Sequence, residues 1–160
     1  MDYKIGIGYD IHRLVDGRKL FLGGLEIPYH KGLLGHSDGD ALLHSICDAL
    51  LGALALGDIG EHFPDSDPAY LDISSAELLK NVSALITKKG FSIVNIDTVI
   101  IAQEPLLSPF KKEIQEAIAN ILKIDKTCIS VKAKTNEGLG EVGEKKAIAC
   151  YAIAAVSRKG

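Results

Sequence analysis

The 160-residue chain predicts one layered α+β or α/β sheet. Three observations carry that prediction. Residues 4–14 alternate with a period of two, residues 41–56 are apolar on nearly every face, and strand-like runs at 93–102 and 128–134 follow helical, amphipathic stretches. The length fits one domain, residues 1–160, large enough to bury roughly two-thirds of its unfolded surface.

In the first strand Ile5, Ile7, Tyr9, Ile11 and Arg13 face one way, and Gly6, Gly8, Asp10, His12 and Leu14 the other. Asp10 and His12 thus stand roughly 6–7 Å apart on one face and can point at one object. Gly6-Ile7-Gly8 lacks the third glycine and the following helix of a dinucleotide loop, so these glycines make room for a neighbouring backbone or a ligand. A turn at Asp16-Gly17 leads to a short strand at 19–22, and Gly23-Gly24 turns into Leu25-Glu26-Ile27. Ser37, three residues before Asp40, reads as a capping-box-like start to a buried helix from Ala41 to Leu56. Asp40, His44 and Asp48 fall at i, i+4 and i+8 on that helix, one polar stripe whose members all need partners.

Residues 57–60 end this helix, and 63–68 form a rigid, acid-rich loop in which Asp65 and Asp67 can simply be solvated. Ser74 and Glu77 cap a second helix that runs to Lys89 and stops at Gly90, with Leu78, Leu79, Val82, Leu85 and Ile86 as its buried stripe. The β-branched run Ile93 to Ala102 reads as a central strand, and 103–107 as a loop. Ser108 caps a third helix with Pro109 in its first position. Residues 128–134 alternate as a half-buried strand and lead into 135–140, a polar loop able to present N–H groups to an anion. Ala147 to Val156 fits strand or helix equally well.

Charged residues make up 24% of the chain and the formal net charge is -3, which excludes non-specific nucleic-acid binding. An anionic ligand must then be held by local cations, a metal or backbone N–H groups. Cys47, Cys128 and Cys150 are odd in number and each lies in an apolar run, the pattern of reduced core thiols in an intracellular protein. With no signal peptide before Tyr3 and no membrane-length apolar segment, a soluble, cytoplasmic protein with no membrane partner is expected.

Asp10, His12 and His44 together make a two-imidazole, one-carboxylate set suited to Zn²⁺ with an open fourth position, the catalytic rather than the structural pattern. Taken alone, a buried histidine is more often a hydrogen-bonded core residue. Asp48 or Asp40 is expected to orient His44. His36-Ser37, just before the helix, would meet an anion with an imidazole, a hydroxyl and backbone donors. His30 and His62 read as surface residues. A metal-dependent phosphohydrolase and a homo-oligomeric binding module with a structural metal use the same residue types.

The motifs Asp10-Ile11-His12, the helix entry at 35–40 with His44, 57–60, 63–67, 101–103 and 134–137 resemble, in order and over essentially the whole chain, the family of 2-C-methyl-D-erythritol 2,4-cyclodiphosphate synthases. The resemblance implies an α+β fold, a single-layer mixed β-sheet backed by helices, in a homotrimer with active sites between subunits. It also implies a phosphorus–oxygen lyase reaction of the non-mevalonate isoprenoid pathway, in which 4-diphosphocytidyl-2-C-methyl-D-erythritol 2-phosphate cyclises and releases CMP. By the same resemblance Asp10, His12 and His44 hold Zn²⁺ against the substrate, and Glu137 holds Mg²⁺ or Mn²⁺. His36 and Ser37 bind the attacking phosphate, and His36 and Thr135 are the catalytic residues. Asp58, Ile59 and Gly60, with Phe63, Pro64, Asp65, Ser66 and Asp67, hold the methylerythritol. The nucleotide falls to Ala102, Gln103, Glu104, Pro105, Leu106, Leu107 and Ser108, together with Ala133, Lys134, Thr135 and Asn136, in a neighbouring subunit's site. The chain departs from the family's pattern at Leu106, where many members carry lysine, and at Glu144, where members often carry an arginine that lines a central channel.

Overall fold

A computed structural model describes residues 2–158. Strand β1 (Tyr3–Asp16) is followed by the short strands β2 (Leu20–Leu22), β3 (Leu25–Ile27) and β4 (Lys31–Leu33). Strands β5 (Phe91–Ile101), β6 (Ile129–Lys134) and β7 (Ala147–Arg158) complete the set. Five of them form one mixed sheet in the order β4-β1-β7-β5-β6. β7 runs antiparallel to both β1 and β5, and β5 and β6 are parallel. β2 and β3 pair separately, so the expected single sheet gains a two-stranded neighbour. Asp40 explains it: its carboxylate accepts from Gly23 N at 2.9 Å and Gly24 N at 2.7 Å, tying the hairpin turn to the helix entry.

Helix α1 (Ala41–Ala53) lies across β1 and β7 and against α3 (Ser75–Lys88), while α4 (Lys111–Leu122) covers β6. Two single-turn helices, α2 (Ile59–His62) and α5 (Gly140–Gly143), carry loops. α1 is almost wholly buried because its Leu, Ile and Ala residues face sheet, hairpin and α3 at once. It begins at Asp40, whose Oδ1 accepts from Leu43 N at 3.0 Å, and not at Ser37. It ends at Ala53, three residues short of the expected end, where Ala55 and Gly57 turn into positive φ. Ser108 makes no cap hydrogen bond; it opens a 3₁₀ turn (Ser108–Phe110) before α4. Ser74 does cap α3, accepting from Ala76 N at 3.2 Å.

The glycines of β1 set how closely α1 approaches. A Cβ on Gly8 would stand 1.8 Å from Ser45 O, and one on Gly6 2.0 Å from Ala49 O. Helix and strand backbones therefore touch, which settles on a neighbouring backbone rather than a ligand as what these two glycines admit. The ambiguous 147–156 segment is a strand, with Ile148, Cys150, Ala152, Ala154 and Val156 in the core beneath the helices. The opposite sheet face carries Ile5, Ile7, Tyr9, Ile11, Tyr151 and Ile153 exposed, Ile5 at 71% and Ile7 at 68%. So continuous an apolar face on a single chain marks an interaction surface.

Cys47 and Cys150 are buried, Cys128 is half-buried, and all three are free thiols. Burial pushes Cys47 and Cys150 well above the ordinary thiol range. Among the described residues no helix is long and apolar enough to cross a membrane.

Candidate metal centre and ligand cleft

The period of β1 turns Asp10 and His12 toward α1, and the contact at Gly8 brings the first turns of α1 down onto them. His44 then meets both. Asp10 Oδ2 lies 2.8 Å from His12 Nε2 and 3.0 Å from His44 Nδ1, and the two nitrogens are 3.3 Å apart. The other nitrogen of His12 is fixed: Nδ1 donates to Leu34 O at 2.7 Å, so Nε2 carries a free lone pair when the ring is neutral. His44 Nε2 lies 2.8 Å from Ser75 Oγ and 3.2 Å from Ser37 Oγ.

The donor set fits a metal ion. Three ligand atoms of Asp10, His12 and His44 lie within 4.8 Å of one another. Zinc–nitrogen bonds of about 2.0–2.1 Å in a tetrahedron separate ligand atoms by roughly 3.3 Å, close to the observed triangle. A carboxylate oxygen and two imidazole lone pairs at this range repel unless a cation joins them. Burial raises the Asp10 carboxyl, but the neighbouring imidazoles, His12 first, outweigh it and leave it below the usual carboxylate range. Burial likewise lowers His12, and the Asp10 carboxylate overcomes this and raises it.

A cleft of about 250 Å³ opens over these three residues. Its wall includes His36, Ser37, Ile59, Gly60, Phe63 and Asp65 from the expected set, together with Tyr70, Ile73 and Leu78, none of which the sequence reading assigned to the site. Phe63 and Tyr70 pack edge to face, with ring centroids 5.3 Å apart. Among the described residues the buried Nε2 of His36 has no hydrogen-bond partner. Arg18 donates to Ser37 O at 2.9 Å and steadies the helix entry. Asp58 does not line the cleft; it caps α2 by accepting from Glu61 N at 3.0 Å. Pro64, Ser66 and Asp67 also lie outside it, and Asp67 caps the following 3₁₀ turn (Pro68–Tyr70) through Ala69 N at 2.9 Å.

Neither acid expected to orient His44 does so. Asp40 spends its carboxylate on Gly23, Gly24 and Leu43, and Asp48 accepts from Ile59 N at 2.8 Å, pinning α2 to α1. Burial raises both carboxyls. Ser75, at the start of α3, takes the place beside His44. His62 is half-buried rather than a surface residue, with Nε2 2.7 Å from Leu56 O.

The remaining expected residues gather at the C-terminal ends of β5 and β6, and none of them lines the cleft. Ala102 N donates to Lys134 O at 2.9 Å, and Gln103 Oε1 accepts from Gly138 N at 3.1 Å. Glu104 pairs with Lys145 at 2.6 Å and accepts from Tyr29 OH at 3.3 Å. Ala102 and Leu107 are buried, so they offer only backbone, whereas Leu106 is exposed. In the 135–140 loop Glu137 N meets Thr135 Oγ1 at 3.3 Å and Leu139 N meets Asn136 O at 2.9 Å. Together with Gly138, three of its N–H groups are thus used within the chain.

Fold and site define a class: a small mixed α+β protein that presents an Asp–His–His cluster able to hold a metal ion in an open cleft. The chain belongs to the YgbB family, whose model matches residues 3–157. It is 52% identical over 155 residues to the 2-C-methyl-D-erythritol 2,4-cyclodiphosphate synthase of Syntrophomonas wolfei, covering 97% of this chain and 99% of that one. Among solved structures it is similar to the bifunctional IspDF of Campylobacter jejuni, with TM-score 0.95 and 41% identity, over 99% of this chain and 43% of that one. It is similar also to the Plasmodium falciparum IspF–CDP complex, with TM-score 0.86 and 43% identity, over 99% of this chain and 97% of that one.

Proposed function

We propose that the chain converts 4-diphosphocytidyl-2-C-methyl-D-erythritol 2-phosphate to 2-C-methyl-D-erythritol 2,4-cyclodiphosphate and CMP, a step in isoprenoid precursor biosynthesis. The observation that carries this reading is the convergence of Asp10 Oδ2, His12 Nε2 and His44 Nδ1 in a cleft that also holds His36 and Ser37. In the reaction an oxygen of the 2-phosphate bonds to the β-phosphorus, the bond from that phosphorus to the CMP oxygen breaks, and CMP leaves with the electron pair. No enzyme nucleophile takes part, so catalysis consists of positioning and charge neutralisation. Zn²⁺ at Asp10, His12 and His44 supplies Lewis acidity to a phosphate oxygen, and Mg²⁺ or Mn²⁺ at Glu137 neutralises the diphosphate.

His36 and Ser37 hold the attacking phosphate. The buried, unpartnered Nε2 of His36 supports this, because a phosphate oxygen satisfies it. Ile59, Gly60 and Phe63, with Asp58 and residues 64–67, hold the methylerythritol, and the apolar wall of Ile59, Phe63 and Leu78 suits its carbon skeleton. Residues 102–108 and 133–137 hold the cytidine diphosphate, with Thr135 stabilising the transition state. None of this second set lines the cleft, and we assign it to the site of a neighbouring copy of the chain. That assignment, with the apolar outer face of β1 and β7, supports a homotrimer with sites between subunits. The enzyme works in the cytoplasm, without a nucleic-acid or membrane partner.

³¹P NMR of the purified protein with this substrate and Mg²⁺, with and without a zinc chelator, tests the reading. Paired cyclic-diphosphate resonances appear together with CMP and are lost on chelation. Release of inorganic phosphate identifies a hydrolase instead, and unchanged substrate refutes the assignment.

A further inference from the structure

His12 is oriented by a backbone carbonyl, but His44 is oriented from another helix. Ser75 is fully buried, 31 residues from His44, and sets its Oγ 2.8 Å from His44 Nε2. The same oxygen makes a short contact with Asp38 Oδ1, and Ser75 N donates to Asp38 Oδ2 at 3.1 Å. Asp38 is held in turn, since its Oδ1 accepts from Asp40 N at 3.1 Å.

Donor and acceptor roles along this relay run one way. The carboxylate of Asp38 has no hydrogen to give, so the Ser75 hydroxyl donates to it. That uses the single hydrogen of Ser75, whose lone pairs can then only accept, and Nε2 of His44 must carry the hydrogen between them. Nδ1 is left with its lone pair, and Nδ1 is the atom 3.0 Å from Asp10 Oδ2 and 3.3 Å from His12 Nε2. Ser37 Oγ, at 3.2 Å from Nε2, is the more distant acceptor and is itself engaged by Gly39 N at 3.3 Å.

We propose that Asp38 and Ser75 are positioning residues for the metal centre: Ser75 locks His44 in the Nε2–H tautomer with Nδ1 aimed at the ligand triangle, and Asp38 acts through Ser75. The proposal rests on reading Asp10, His12 and His44 as a metal centre. It makes the start of α3 part of that centre although no α3 residue touches the ion, and it assigns a role to a serine that its own helix explains only as an N-terminal residue.

The test uses the full chain with Ser75→Ala and Ser75→Thr. Metal-free protein is titrated with Zn²⁺ against a chromophoric chelator, and ¹⁵N-labelled protein reports the imidazole tautomer through long-range proton–nitrogen correlations. Ser75→Ala is expected to weaken zinc binding about 10- to 100-fold, with unchanged circular dichroism and particle size, while Ser75→Thr recovers most of the affinity. In the parent His44 reads as Nε2–H; in Ser75→Ala it reads as a mixture. Parental zinc affinity in a folded Ser75→Ala protein, or an Nδ1–H His44 in the metal-free parent, overturns the proposal. A parent that takes up no zinc overturns the metal-centre reading instead, and the tautomer spectrum then still judges the relay.

Discussion

Gly8→Ala is the change that most directly tests how the fold builds the centre. The new Cβ would stand 1.8 Å from Ser45 O and 2.8 Å from Ala49 N, whereas real Cβ contacts do not fall below 3.0 Å. Helix and strand must therefore separate by at least 3.0 − 1.8 = 1.2 Å along this contact. β1 cannot recede, being paired with β7 from Tyr3 to Arg13, so α1 lifts. His44 is next to Ser45 on α1 and Asp10 is two residues beyond Gly8 on β1, so the 3.0 Å between Nδ1 and Oδ2 widens to about 4 Å. A metal site tolerates deviations of only about 0.2 Å in its ligand distances, and zinc affinity is expected to fall by about 100-fold or more. The clash is with backbone rather than a yielding side chain, which puts the stability cost at the upper end of overpacking, about 3 kcal/mol. For a chain of this length that lowers Tm by roughly 6–12 °C. Thermal melts of the metal-free protein and chelator-competition titrations measure both effects. A Gly8→Ala protein that melts within about 2 °C of the parent and binds zinc with parental affinity would refute the argument that this glycine sets the helix height. Gly17→Ala is the control, since its Cβ meets nothing within 4 Å and only the backbone strain of φ +78 remains.

Two further outcomes follow from the outer sheet face and from the titrating pair. Ile7→Asp puts a carboxylate on the exposed apolar face and should convert the proposed trimer to folded monomer at micromolar concentration in sedimentation velocity, because burying that charge in an apolar interface costs several kcal/mol; sedimentation unchanged from the parent would place the interface elsewhere. In the metal-free protein the pair's contribution to stability is complete between the unfolded values of about 3.8 for Asp10 and 6.5 for His12. It is lost as pH falls through the lowered Asp10 pKa and as pH rises through the raised His12 pKa, so metal-free Tm should decline on the alkaline side and saturating zinc, which replaces the proton, should remove that decline. A metal-free Tm that rises through neutrality contradicts the shift assigned to His12.

Sequence reading reached the site wherever a residue's role follows from the period of its own element. Asp10 and His12 share a face because a strand repeats every two residues, and His44 belongs on a buried helix because its neighbours are apolar all round. Gly6 and Gly8 marked a space without saying what fills it, and the answer, the backbone of α1, depends on residues about forty positions away. Period also misleads. Asp40 and Asp48 share the stripe of His44, yet one reaches back to the hairpin at Gly23 and the other forward to Ile59, since a side chain's partner is chosen by the loops packed around it. The segment from Ala147 to Val156 fits two periods because alanine suits helix and strand packing alike, and only pairing on both edges, with β1 and β5, decides it.

The same limit hid Ser75. On its own helix it is one more polar residue beside the Ser74 cap, and nothing local separates the two hydroxyls. What separates them is depth: Ser74 is exposed and caps its own turn, whereas Ser75 is buried between Asp38 and His44, where a hydroxyl left without partners would be costly. A buried hydroxyl flanked by a carboxylate and an imidazole is constrained to a single hydrogen-bond direction, and that direction leaves Nδ1 of His44 bare toward Asp10 and His12. The ligand triangle is thus completed by a helix that supplies no ligand, and its geometry depends on the packing of α3 as much as on β1 and α1.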